Sequence, residues 1–99
     1  MSNDANIAKQ IVHDKLESQV KTAEAKLNML KAQAETAKAN VEVKATAALQ
    51  PKIQVIRQKL EELKKAGGDQ WVQTRSDLEG RIAEFQNSMQ GIESKPKAN

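Results

Sequence analysis

The chain has 99 residues, a formal net charge of +3 and no cysteine, and its aromatic residues are Trp71 and Phe85. So short a chain holds one domain at most, and the lack of cysteine excludes disulfides and cysteine-based zinc sites. Few aromatic side chains and a composition rich in alanine, lysine, glutamate, glutamine and leucine are typical of long helices and coiled coils.

The amino-terminal segment has no apolar stretch behind a basic start, and no apolar run approaches the length of a membrane span. Positive and negative side chains alternate along the whole chain, so lysine and arginine are not gathered on one segment. We therefore expect a cytoplasmic protein without a specific nucleic-acid partner. Dispersed lysines of this kind give at most weak, salt-sensitive contact with nucleic acid.

An apolar stripe at helical spacing runs through the first part of the chain. Its steps alternate between four and three residues, except for consecutive steps of four between Val41 and Ile53. This period predicts one long amphipathic helix over about residues 5–66. The stripe consists of Leu16, Val20, Ala23, Leu27, Leu30, Ala34, Ala37, Val41, Ala45, Leu49, Ile53, Ile56, Leu60 and Leu63.

Pro51 is the strong helix breaker within this stretch. A proline inside a helix removes a backbone hydrogen bond and crowds the carbonyl four residues earlier, at a cost of about 3 kcal/mol. Because no glycine or turn cluster flanks Pro51 and the stripe keeps its phase, we expect a kinked but continuous helix. A break into two helices at this residue is the alternative.

The segment Gly67-Gly68-Asp69 is the clear turn of the sequence. The glycines can adopt the left-handed conformation that closes a helix, and Asp69 is placed to cap the next helix. A second apolar stripe then predicts a helix over about residues 70–93, followed by a flexible tail over residues 94–99. This stripe consists of Trp71, Arg75, Leu78, Ile82, Phe85, Met89 and Ile92.

Trp71 is expected to pack back across Leu60 and Leu63 and so to fix the end of the hairpin. An exposed tryptophan at this tip that anchors a partner is the alternative. Arg75 interrupts the second stripe, and we expect it to extend along the helix surface. Pairing with a carboxylate across an oligomer interface is the other interpretation of Arg75.

A short connection makes two successive helices antiparallel neighbours, which predicts an all-α, antiparallel coiled-coil hairpin in a single domain of residues 1–99. The second helix covers only about 36 Å of a first helix that extends past about 90 Å. This overhang leaves an apolar stripe without a partner and predicts self-association, most simply as a dimer. The residues expected at the subunit contact are Leu16, Val20, Leu27 and Leu30.

A compact monomer of three helices is the alternative to this extended hairpin. It requires a turn in the amino-terminal half of the chain, so that the first stripe can be covered from within. Residues 31–40, KAQAETAKAN, contain neither glycine nor proline. The sequence therefore favours the hairpin.

Residues 34–71 resemble a family of small bacterial coiled-coil proteins, some of whose members are described as stress-response proteins. The similarity lies in an alanine- and lysine-rich first helix, in the KLEELK segment of residues 59–64, and in the AGGD-x-W junction of residues 66–69 and Trp71. Pro51 falls where that family usually has ordinary helix formers. The resemblance implies the hairpin fold and a stress-related role.

Side chains that could bind a metal or take part in catalysis have few suitable partners in the sequence. His13 and Glu17 share a helix face, but a metal site needs three or four ligands, and we expect a solvated surface histidine. The carboxylates mostly lie off the stripes and often four residues from a cation, as Asp77 does from Arg81. No phosphate-binding loop and no nucleophile–histidine arrangement is present. We therefore expect no enzyme activity, cofactor, metal site or small-molecule substrate.

These observations predict a non-enzymatic, self-associating structural or interaction protein with a stress-related role. The alternative function is binding of an amphipathic helix to a membrane or to a hydrophobic granule surface. The expected partner is a second copy of the chain, and another protein or a membrane surface is the other partner considered.

Overall fold

The computed structural model describes the backbone of residues 2–93 and the side chains of residues 6–93. Within this range the chain forms three helices and no strand: α1 (Ser2–Thr36), α2 (Asn40–Lys65) and α3 (Gly68–Glu93). Each helix contacts the other two, and the resulting bundle measures 61 × 17 × 17 Å. The prediction of an all-helical fold is confirmed, whereas the tail predicted over residues 94–99 lies outside the described residues.

The predicted two-helix hairpin is wrong, because the chain turns back within residues 31–40. Lys38 has a left-handed backbone conformation with φ of 57°. Its amide donates to the carbonyl of Glu35 at 3.1 Å, and the amide of Ala39 donates to the carbonyl of Ala34 at 2.9 Å. These two hydrogen bonds form a Schellman motif, which satisfies the last carbonyls of a helix. Glycine usually occupies the left-handed position, and the lysine found here gives the sequence no visible turn signal.

The second helix is continuous through Pro51, so the prediction that the helix continues past this proline is confirmed. It begins at Asn40 without a hydrogen bond from a capping side chain, and Glu42 lies in its first turn. Lys64 and Lys65 lie in its last turn. Both charge placements complement the helix dipole, whose positive end is at the first turn and whose negative end is at the last.

The turn between α2 and α3 lies at the predicted glycines. The backbone of Ala66 is extended, and Gly68, with φ of 58°, opens α3. The amide of Trp71 donates to the carbonyl of Gly67 at 3.4 Å. Because α3 begins at Gly68, Asp69 lies within the first turn of this helix and not at the capping position predicted for it. Its carboxylate still interacts favourably with the positive end of the helix dipole from there.

The core combines one face from each helix. Most of the two predicted stripes is buried, but Val41 is 60% exposed because the phase of the pattern changes at the turn between α1 and α2. Thr46 takes a buried position in α2, and its hydroxyl donates to the carbonyl of Val43 at 2.9 Å. The buried cluster consists of Leu16, Val20, Ala23, Leu27, Leu30, Leu49, Ile53, Ile56, Leu60, Leu63, Leu78, Ile82, Phe85 and Met89.

Ion pairs at the edges of this core connect every pair of helices. Each of them is solvent-accessible and contributes at most about 1 kcal/mol, so their main effect is to favour one register of the helices. They join Arg57 to Glu24 (2.6 Å), Lys26 to Glu93 (2.6 Å), Lys59 to Asp77 (3.8 Å) and Lys52 to Glu84 (4.0 Å).

Candidate interaction surfaces

The four residues predicted to form a subunit contact lie inside the bundle. Leu16 and Val20 are each 3% exposed, Leu27 is 0% exposed and Leu30 is 6% exposed, and all four belong to the core cluster. The overhang that motivated the prediction depended on a single long helix. Because the chain turns back at Lys38, α2 and α3 cover this stripe within one molecule. A subunit contact through these side chains would require the bundle to open.

The residues predicted at the second turn and its packing lie together at one end of the bundle. Leu60 and Leu63 are buried in α2, and Trp71 is a half-buried residue of α3 that packs against the same core cluster. Gly67 lies in the turn between these two helices, and Gly68 and Asp69 are the first residues of α3. The turn between α2 and α3 is therefore flanked by side chains that belong to the apolar core or pack against it.

Two cationic side chains lie near the indole ring of Trp71. The Nζ atom of Lys9 in α1 and the Cζ atom of Arg75 in α3 are each 5.5 Å from the ring centre, within the range of cation–π attraction. The Nε atom of Arg75 also donates to Glu79 at 3.4 Å. Arg75 lies at the edge of the core because Thr74 takes the buried position beside it.

Exposed aliphatic side chains lie at the same end. Ile7 is 58% exposed, Ile11 is 62% exposed and Val72 is 60% exposed. Lys9 lies between the two isoleucines in the sequence and Val72 follows Trp71, so the contact of Lys9 with Trp71 brings all of them to one end of the bundle. We define the Trp71 end as Ile7, Lys9, Ile11, Trp71, Val72 and Arg75.

A second line of residues runs along α1 on the side opposite the core. Residues three or four positions apart share one face of a helix, and this face lies about half a turn from the buried stripe. All its members are exposed, and Asp14 is the charged one. We define the outer line of α1 as Ile7, Ile11, Asp14, Ser18, Thr22, Ala25, Met29, Ala32 and Thr36.

The outermost face of a surface helix is usually its most charged one. In α1 the charges instead lie beside the outer line, where Glu24 and Lys26 pair with α2 and α3. Met29 on the outer line is 51% exposed. The sequence alone does not reveal this line, because without the turn at Lys38 the face that lacks a partner is the stripe that contains Leu16.

A groove between α1 and α2 gathers side chains of both charges. Glu17, Glu24 and Glu61 line it together with Lys21 and Arg57. Arg57 donates to Glu24 at 2.6 Å, which partly neutralises the acidic groups. Among the described residues, no group of three or more histidine and carboxylate side chains is placed to hold a metal ion.

The sequence predicts a solvated surface histidine at position 13, but the side chain of His13 is only 12% exposed. It lies one helical turn before the buried Leu16 and therefore close to the core face of α1. Its Nδ1 atom is 3.8 Å from the Oδ1 atom of Asp14.

No protein-family model, no curated protein and no solved structure matches this chain. The resemblance to bacterial coiled-coil proteins therefore stays a prediction. None of the described helices is both long enough and apolar enough to cross a membrane. The class that the fold defines is an all-helical bundle, with the outer line of α1 and the Trp71 end as its exposed apolar surfaces.

Proposed function

We propose that the chain is a non-enzymatic interaction protein that associates with a second copy of itself through the outer line of α1. The observation that carries this proposal is the placement of Ile7, Ile11 and Met29, all more than half exposed, on one outward face of one helix. Side chains at this spacing form the seam when two helices pack together. A cytoplasmic location and a stress-related role, which the sequence and its resemblance predict, belong to the same proposal.

The length of α1 supports a contact between copies. Its 35 residues give a helix of about 52 Å, and a contact strip about 10 Å wide along it covers roughly 500 Å² on each copy. The total of roughly 1,000 Å² lies at the lower limit of specific interfaces. We therefore expect a reversible dimer, because each bundle already has a complete core of its own.

The composition of the outer line favours close approach of a second helix. Ser18, Thr22 and Ala25 are small or short side chains at its centre. Asp14 opposes association, because a carboxylate brought into a contact loses hydration, which the hydrogen bond that it accepts from Gln10 at 2.9 Å replaces only in part. The line is therefore suited to a weak dimer whose affinity responds strongly to single charges.

The test is sedimentation equilibrium over a series of protein concentrations. Met29→Asp adds a second charge to the line and is expected to weaken dimerisation at least about tenfold, which corresponds to about 1.4 kcal/mol. Asp14→Ala removes the existing charge and is expected to strengthen dimerisation by a similar factor.

The matched control is Ala47→Asp, which places the same charge on an exposed position of α2. It is expected to leave the dimerisation constant within about twofold of the wild-type value, since remote surface changes have small effects. A wild-type chain that stays monomeric at every concentration would contradict the proposal, as would equal weakening by Ala47→Asp and Met29→Asp.

A further inference from the structure

Met29 carries the exposed sulfur atom of the bundle. The chain has no cysteine, and its methionines are Met1, Met29 and Met89. Met29 is 51% exposed, Met89 is 1% exposed inside the core, and Met1 lies outside the described residues. An oxidant in solution must reach a thioether sulfur to oxidise it, so Met29 is the favoured site among the described residues.

Met29 is also the large apolar side chain of the outer line of α1 beyond Asp14. Its neighbours on the line are Ala25 and Ala32, whose single methyl groups leave the longer thioether side chain projecting from the helix. Ile11, the nearest other large apolar member of the line, lies about 27 Å away along the helix axis. A change that made Met29 polar would therefore confine large apolar contacts to the isoleucine end of the line.

We propose that oxidation of Met29 to its sulfoxide by hydrogen peroxide shifts the dimer formed through the outer line of α1 toward the monomer. This proposal rests on the proposed function and assigns a regulation to the same contact. A thioether is apolar and flexible, and it adapts to the surface of a partner helix, whereas a sulfoxide is polar. The sulfoxide oxygen loses hydration when a second helix covers it. In a symmetric contact each copy contributes its own Met29, so complete oxidation places two sulfoxides in the dimer.

The oxidation transfers one oxygen atom from the peroxide to the sulfur of Met29. An S–O bond forms and the O–O bond of hydrogen peroxide breaks. The leaving hydroxide takes the proton of the transferred oxygen and departs as water. The sulfur is oxidised by two electrons and the peroxide is reduced by two. Methionine sulfoxide reductases reverse the reaction with a dithiol, which becomes a disulfide while the oxygen leaves as water.

The monomer is the form that reacts, because the contact covers Met29 in the dimer. A weak, reversible dimer releases this side chain continually, so the sulfur remains within reach of peroxide. At a fixed excess of peroxide, the rate of oxidation of Met29 is expected to fall several-fold as the protein concentration rises from well below to well above the dimerisation constant.

The test compares reduced and peroxide-treated wild-type protein by sedimentation equilibrium. Peptide mass spectrometry locates the added oxygen at Met29 and checks that Met89 is unmodified, and circular dichroism checks that the helices are retained. Oxidation is expected to weaken dimerisation at least about tenfold, because an apolar contact is lost and a polar oxygen is covered. Treatment with methionine sulfoxide reductases and a dithiol is expected to restore the original dimerisation constant.

Two substitutions at position 29 separate the sulfoxide from other effects of peroxide. Met29→Leu keeps an apolar side chain of similar volume without the sulfur, and it retains Met1 and Met89. This variant is expected to dimerise within about twofold of the reduced wild type and to be insensitive to peroxide. Met29→Gln is a polar, uncharged replacement of similar length, and it is expected to weaken dimerisation without peroxide.

The outcomes distinguish this proposal from self-association itself. A reduced wild-type chain that stays monomeric would overturn both. If Met29→Asp weakens the dimer but the sulfoxide at Met29 does not, the contact stands and the redox proposal fails. Equal weakening of wild type and Met29→Leu by peroxide would also overturn it, as would a rate of Met29 oxidation independent of protein concentration in a chain that dimerises.

Discussion

Replacing Leu27 by alanine tests whether the stripe of α1 is packed inside a single chain. Leu27 is 0% exposed and belongs to the core cluster formed by all three helices. The substitution removes three carbon atoms, which at about 0.8 kcal/mol each gives about 2.4 kcal/mol of lost burial. The cavity left behind raises the expected loss in the free energy of unfolding to about 3–4 kcal/mol.

Met29→Ala is the matched control, because it also removes three heavy atoms from α1 but at a position that is 51% exposed. At protein concentrations well below the dimerisation constant, it is expected to change the free energy of unfolding by less than about 0.5 kcal/mol. The assay is urea unfolding followed by circular dichroism, at protein concentrations well below and well above the dimerisation constant.

A core inside one chain predicts that the loss in Leu27→Ala is the same at both concentrations. If Leu27 instead lay between subunits, the loss in Leu27→Ala would itself depend on protein concentration through mass action. The reasoning would be refuted if Leu27→Ala were no more destabilising than Met29→Ala. A loss in Leu27→Ala that disappeared at high protein concentration would refute it equally.

Three further substitutions are expected to stabilise the bundle in the same urea assay. Lys38→Gly should raise the free energy of unfolding by about 1 kcal/mol, because a left-handed backbone costs a lysine roughly that amount and costs glycine little; a loss of stability would contradict the turn. Pro51→Ala should raise it by about 2–3 kcal/mol by restoring a helical hydrogen bond, and no gain would mean that the proline shapes the packing of α2. Gly80→Ala should raise it by about 1 kcal/mol, since a Cβ atom at Gly80 meets nothing within 4 Å, and destabilisation would contradict an exposed α3 surface there.

The buried faces of the helices follow from the spacing of their apolar residues, and the core agrees with that spacing on both sides of the first turn. The three-helix topology could not be predicted from this spacing, because the left-handed residue of the first turn is Lys38 and not the glycine that usually marks such a turn. On the sequence alone, the steps of four from Val41 to Ile53 belong to one continuous helix. In the structure they begin with a residue that is 60% exposed, directly after the turn where α2 begins.

The exposed surfaces depend on topology more than the core does. The contact of Arg75 with Trp71 is foreseeable, because residues four apart meet on one helix face. The contact of Lys9 with Trp71 is not, because it depends on the way the helices pack. Likewise, the outer line of α1 becomes the exposed apolar face only once α2 and α3 are known to cover the buried stripe.

The central claim is that α1 and α2 are antiparallel neighbours within one chain. Glu24 and Arg57 form an ion pair although they are 33 positions apart, a separation that a single straight helix would convert into about 50 Å. Because the chain has no cysteine, two introduced cysteines can carry spin labels without background.

The most direct measurement is the distance between spin labels at Lys21→Cys and Gln58→Cys, exposed positions near that ion pair, with labelled protein diluted into unlabelled protein. Neighbouring helix axes lie about 8–10 Å apart, so the bundle predicts a distance below about 25 Å, including the label linkers. A distribution centred near about 55 Å, the length of a continuous helix between these positions, would contradict the account.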